Sequence, residues 1–163
     1  MVGVDYAFPW DDLLQAYKFR AALHLRRLLL DPLMSRLQED VEAQQCELLL
    51  SVPLSSAGLR QRGYNQSHEL AKALARHLQL RYTPQAIERI KRSQVQSLLP
   101  KMERSRNVRG AFIVRPEALS QIQGRRIAIV DDVMTTGATL FELAGLLKRS
   151  GASHVQAWVI ARA

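Results

Sequence analysis

The sequence predicts an α/β fold with a mostly parallel central sheet flanked by helices, and three observations carry that expectation. RIAIVDD, residues 126–132, is a near-continuous aliphatic run, the pattern of a strand buried on both faces. GATLFELAGLLKRSG follows with helical spacing and Gly151 near its end, and HVQAWVIARA closes the chain as another strand. Strand, helix, strand in that order argues for right-handed crossovers between parallel strands.

The remaining elements follow in chain order. Residues 11–45 carry apolar positions at helical spacing, namely Leu13, Leu14 and Tyr17, then Leu25, Leu28 and Leu29, then Leu33 and Leu37. Pro32 after Asp31 predicts the first turn of a new helix with Asp31 as its N-cap, giving two or three helices in this region. ELLLSVP reads as a short buried strand ended by Pro53. From Ser67 to Leu78, the stripe Leu70, Ala71, Leu74, Ala75 and Leu78 predicts a helix capped by Asn65 or Ser67. AIERIKR (86–92) and AFIV (111–114) read as strands. The polar connection between them, SQVQSLLPKMERSRNVRG, is longer than a hairpin needs and is expected to be a functional loop.

A chain of 163 residues, 47% hydrophobic, suits one domain spanning 1–163, burying roughly 70% of the surface its unfolded form exposes. The formal charge of +8, from 23 Lys and Arg against 15 Asp and Glu, favours phosphate-bearing partners. Cys46 is the only cysteine, which excludes an internal disulfide, and its apolar neighbours predict a buried inert thiol. His24, His68, His77 and His154 have no metal-ligand spacing, so no zinc is expected. Ser67 and His68 are neighbours with divergent side chains and make no nucleophile–base pair. Trp10 and Trp158 read as packing. The start MVGVDYAFPW lacks the layout of a signal peptide, and no apolar run approaches ~18 residues, so a soluble cytoplasmic protein is expected.

The candidate site lies where the best strand ends. Ligands of open parallel sheets bind beyond the carboxyl ends of the strands, and Asp131 and Asp132 stand there. Met134, Thr135, Thr136, Gly137, Ala138 and Thr139 then pass from strand to helix, where unpaired backbone amides and the helix dipole favour an anion. Gly137 permits close backbone approach and the threonines add hydroxyl donors, so the turn suits a phosphate. The two carboxylates would repel that phosphate. They suit instead vicinal sugar hydroxyls or a cation beside it, and a phosphorylated ribose meets both requirements.

IAIVDDVMTTGAT resembles the phosphoribosyl-pyrophosphate (PRPP) signature of type I phosphoribosyltransferases. In that family the acidic pair holds the ribose hydroxyls and the loop holds the 5′-phosphate. Ala138 departs from the second glycine of many members, which a helical backbone at 138 would accommodate. VPLSSAGLRQRGYNQSHELAKALA, then IKRSQVQSLLPKMERSRNVRGAF, then the PRPP loop occur in the order of the ComF-type, competence-associated relatives, which include GntX-like proteins. Tyr17-Lys18-Phe19 is similar to the aromatic-lysine element of those proteins, with Ala21 or Ala22 where glycine is common. Members often begin with a four-cysteine zinc module, which this sequence lacks.

The resemblance implies a type I phosphoribosyltransferase-like fold, with residues 1–45 as a helical hood and 46–163 as the α/β core. It implies Mg²⁺-dependent transfer of a phosphoribosyl group with release of pyrophosphate. Asp131 and Asp132 would be catalytic, and residues 134–139 would hold the 5′-phosphate. Arg60, Arg62 and Gly63, read as following a strand end and opening a helix, would form a pyrophosphate cradle. Gln96, Lys101 and Arg104, with Arg92 and Arg106 nearby, would lie on a lid. Mg²⁺ would arrive with PRPP, near Asp131. The rival expectation is a non-catalytic protein that binds PRPP or a nucleotide 5′-phosphate and serves DNA uptake beside single-stranded DNA, competence proteins or a helicase-like partner.

Overall fold

In the computed structural model, which describes residues 1–90 and 110–163, strand β1 (Val2–Asp5) leads into helices α1 (Trp10–Phe19), α2 (Arg26–Glu39) and the short α3 (Val41–Gln44). Strand β2 (Leu48–Ser51), helices α4 (Ser56–Arg62) and α5 (Gln66–Leu78), and strand β3 (Arg81–Tyr82) follow. A hairpin of β4 (Ile87–Arg89) and β5 (Phe112–Val114), short α6 (Leu119–Ile122), β6 (Arg126–Met134), α7 (Ala138–Arg149) and β7 (His154–Arg162) complete the described residues.

Five strands form a parallel sheet in the order β1-β7-β6-β2-β3, while β4 and β5 pair antiparallel outside it. Period-two alternation sorts the strand side chains onto two faces. Leu49, Ala128, Val130, Trp158 and Ile160 pack with Leu29 and Leu33 of α2 and Leu70 and Leu74 of α5. Leu48, Leu50, Ile127, Ile129 and Val159 pack on the other face with Leu143 and Leu147 of α7 and Ile122 of α6. Both faces of the sheet are therefore covered, which explains the unbroken aliphatic runs.

The chain leaves β2 towards β3 but leaves β6 towards β7, on the opposite side. The β2/β6 junction is thus the switch point, where an open parallel sheet forms its crevice.

Three local differences from the sequence reading have physical reasons. First, β1 was not anticipated: Gly3 weakens its strand signal, yet any Cβ there would sit 2.7 Å from the Ile160 carbonyl oxygen and 3.3 Å from Leu33. Second, α2 runs through Pro32 instead of starting at it. The missing amide removes one hydrogen bond, and burial of Leu29, Leu30, Leu33 and Leu37 along one face offsets the loss. Third, β3 has only two residues, Arg81 and Tyr82, too short for a pattern to register.

Of Ala21 and Ala22, one of which stands where the aromatic-lysine element commonly has glycine, Ala21 has φ 50°, the left-handed region. An L-residue there costs about 1–2 kcal/mol, partly offset by the lower entropy of alanine in the unfolded chain. Ala21→Gly is therefore expected to raise stability by about 0.5–1 kcal/mol in urea denaturation.

Candidate active site

Strand β6 carries Asp131 and Asp132 to the carboxyl end of the sheet, where Asp131 is partly buried and Asp132 buried. The Ser67 hydroxyl, in the first turn of α5, donates to Asp131 Oδ1 at 2.8 Å, and the Asp132 amide donates to the same oxygen at 2.9 Å. Asp132 accepts from the Val133 amide through Oδ1 at 2.6 Å, while Oδ2 lies 3.3 Å from Lys18 Nζ at the end of α1. The acids are thus held by α5, which follows β2, and by the end of α1, two helices that pack on the same face of the sheet.

Burial and the adjacent Asp132 charge push the Asp131 carboxyl up to about 7, against the Ser67 and Asp132 amide hydrogen bonds and the Lys18 charge. A carboxyl raised in the folded state keeps its proton where the unfolded chain has lost it. Its contribution therefore favours folding as pH falls from about 7 towards about 4, and is lost as pH rises through that window. Asp131→Asn is expected to stabilise the ligand-free protein by about 1–3 kcal/mol at pH 8 and to flatten that slope. Urea denaturation at pH 5 and pH 8 checks both, and an unchanged slope would contradict the assignment.

Past β6, Thr135 and Thr136 are exposed, Gly137 adopts φ 75°, and α7 begins at Ala138. The Phe141 amide bonds to the Gly137 carbonyl at 2.9 Å, so the amides of Ala138, Thr139 and Leu140 precede the first turn closure of α7. The positive φ falls on the glycine while Ala138 is helical, which is the condition the alanine required. Thr135 to Thr139 therefore adjoin a twelve-residue helix N-terminus just beyond the acid pair.

The second cradle differs from expectation. Arg60 and Arg62 occupy the last turn of α4, and Gly63, with φ 76°, is its C-cap, so these residues close a helix instead of opening one. The dipole at that helix end presents carbonyl oxygens, so within α4 the attraction for an anion comes from the arginine charges. The Arg62 guanidinium carbon lies 5.0 Å from the centroid of the Phe19 ring. Gln96, Lys101 and Arg104, the lid candidates, lie outside the described residues, as do Arg92 and Arg106.

Of the two cap candidates for α5, Asn65 holds the cap, accepting from the Ser67 and His68 amides at 3.0 and 3.3 Å. The spare Ser67 hydroxyl was the signal for its bond to Asp131. His68 turns away to Tyr82, with Nδ1 2.6 Å from the phenol oxygen, which is 3.0 Å from Ser51 Oγ. Glu142 in α7 receives the Gly110 and Ala111 amides at 3.1 and 3.0 Å, a contact nothing in the sequence pattern indicated. Cys46 is buried as expected, and burial pushes its thiol up.

Residues 65–163, which carry α5, the acid pair and the threonine loop, match the phosphoribosyl transferase domain. The chain belongs to that family. It is 37% identical to DNA utilization protein YhgH of Escherichia coli over 97% of this chain and 69% of that protein. It is 32% identical to Competence protein F of Haemophilus influenzae over 97% of this chain and 70% of that one. Those relatives place it with the ComF-type phosphoribosyl transferase-fold proteins. The glutamine PRPP amidotransferase from B. subtilis, solved with ADP and GMP, superposes with a TM-score of 0.56 at 20% identity, covering 84% of this chain and 26% of that one. An allosteric regulatory enzyme of purine biosynthesis gives a TM-score of 0.54 at 19% identity over 85% of this chain and 25% of that one. These two likenesses establish the shared fold. No helix of the described residues is long and apolar enough to cross a membrane.

Proposed function

We propose that this phosphoribosyl transferase family member binds PRPP and transfers its phosphoribosyl group to an acceptor with release of pyrophosphate. One observation carries the reading: two carboxylates lie near the end of β6 at the switch point, and past Met134 an exposed threonine loop leads into the amides opening α7. Thr135 to Thr139 bind the 5′-phosphate. Asp131 and Asp132 accept hydrogen bonds from the ribose hydroxyls, which orients C1 towards the crevice. The bond from C1 to the pyrophosphate oxygen breaks, the departing oxygen keeps the electron pair, and a lone pair on the acceptor forms the new bond to C1. Positive charge that develops on the ribose in between is stabilised by the adjacent carboxylates.

The acid pair fits Mg²⁺ carried on the diphosphate. Asp131 receives both its bonds on Oδ1, leaving Oδ2 without one among the described residues, and Mg²⁺ with a phosphate ligand needs only one or two carboxylates. Asp131 is the residue that would face it. When bound, Mg²⁺ neutralises charge on the leaving pyrophosphate.

A second reading draws on the relatives' names, which speak of DNA utilization and competence, and on the net charge of +8. Here the protein is a cytoplasmic accessory of DNA uptake that keeps the PRPP pocket without turnover and works beside single-stranded DNA or a competence protein. Incubation with radiolabelled PRPP, Mg²⁺ and a panel of bases and ammonia separates the two. Mg²⁺-dependent release of pyrophosphate supports transfer. PRPP binding without turnover, with salt-dependent affinity for an oligonucleotide, supports the accessory role. Absence of PRPP affinity would sink both.

A further inference from the structure

We infer that Lys18 is a positioning residue of the acid-pair site, held by the Arg62–Tyr64 turn so that its ammonium fixes the Asp132 carboxylate. The inference rests on the PRPP reading above and adds a part that none of the loop residues supplies. Lysine is seldom enclosed, yet the Lys18 side chain is 16% exposed and that of Asp132 6%, with Nζ and Oδ2 3.3 Å apart. Asp132 Oδ2 is buried and takes no hydrogen bond among the described residues, and the Lys18 ammonium 3.3 Å away supplies its counter-charge.

The neighbours of Lys18 explain how a flexible side chain is aimed. The Tyr64 hydroxyl donates to the Tyr17 carbonyl, and the two rings meet edge to face with centroids 6.1 Å apart. The Arg62 guanidinium lies over the Phe19 ring. Residues 17 and 19 are thus pinned by residues 64 and 62, and the residue between them points to the acid. Ser67, three positions beyond Tyr64, holds Asp131 directly. One short segment, Arg62 to Ser67, therefore sets both carboxylates, one through its own hydroxyl and the other through the end of α1. The mechanical consequence is that ribose recognition depends on α1, an element outside the matched domain, which starts at residue 65.

A purely structural ion pair would tie α1 to the sheet without affecting ligand affinity, and the test separates these roles. Isothermal titration of Mg²⁺–PRPP into wild type, Lys18→Met, Lys18→Arg and Tyr64→Phe is accompanied by thermal melting of each ligand-free protein. Lys18→Met is expected to weaken binding by about 10-fold or more, the scale of one lost charge-assisted contact. Lys18→Arg, which keeps the charge, is expected to stay within about 3-fold, and Tyr64→Phe, which frees the end of α1, to fall between them. A folded Lys18→Met protein with wild-type affinity would overturn the inference. Should that variant not fold, unchanged affinity in Tyr64→Phe overturns it equally. Wild-type protein that binds no PRPP would instead overturn the site reading itself, a distinguishable outcome.

Discussion

Replacing Asp131 and Asp132 together by alanine is expected to lower PRPP affinity by at least about 100-fold, or roughly 3 kcal/mol. Each carboxylate accepts from a ribose hydroxyl in the proposed complex, and a hydrogen bond to a charged group contributes about 1.5–3 kcal/mol. The phosphate loop is untouched by the change, so residual binding should resemble that of a simple phosphate. Melting of the ligand-free variant separates lost affinity from lost fold, because removing Asp132 also leaves Lys18 without its counter-charge. Titration calorimetry with Mg²⁺ present measures the effect, and retained affinity would refute the ribose assignment.

The second large effect concerns the sheet that aims those acids. Trp158 is 1% exposed, lies opposite Val130 in the β6–β7 register and donates its indole N–H to Gln156 Oε1 at 3.0 Å. It fills the space between the sheet and the N-terminal helices, packed with Leu37 and Ala128. Trp158→Ala leaves a cavity there and is expected to cost about 3–5 kcal/mol. Urea denaturation reads this as a lowered midpoint, and a loss below about 1 kcal/mol would mean that the neighbours collapse into the space.

The parts of the fold that were legible in the sequence are those whose causes are local. RIAIVDD announces β6 because a strand covered on both faces must be apolar at every position, and the acids, threonines and glycine of the loop are consecutive. Helices α5 and α7 announce themselves through stripes that face the sheet. Illegible features depend on distant neighbours. Gly3 reads as a strand breaker until the Ile160 carbonyl is seen beside it. Pro32 reads as a helix start until the leucines on both sides of it bury one continuous face. Ser67 finds Asp131 across 64 positions, and Lys18 reaches Asp132 only because α1 packs against the same face of the sheet as α5. Arg60 and Arg62 are recognisable as charges, but not as the closing turn of a helix, since Gly63 marks either a cap or a loop until its φ is known.

The proposal that the turn beyond Val133 grips a sugar phosphate is tested most directly by amide chemical shifts. Titrating ¹⁵N-labelled protein with ribose 5-phosphate is expected to move the amide signals of Thr135 to Leu140 and the end of β6 in a saturable way. Those of α6 and the β4–β5 hairpin should stay in place. Shifts confined to residues away from the loop, or none at saturating ligand, would contradict it.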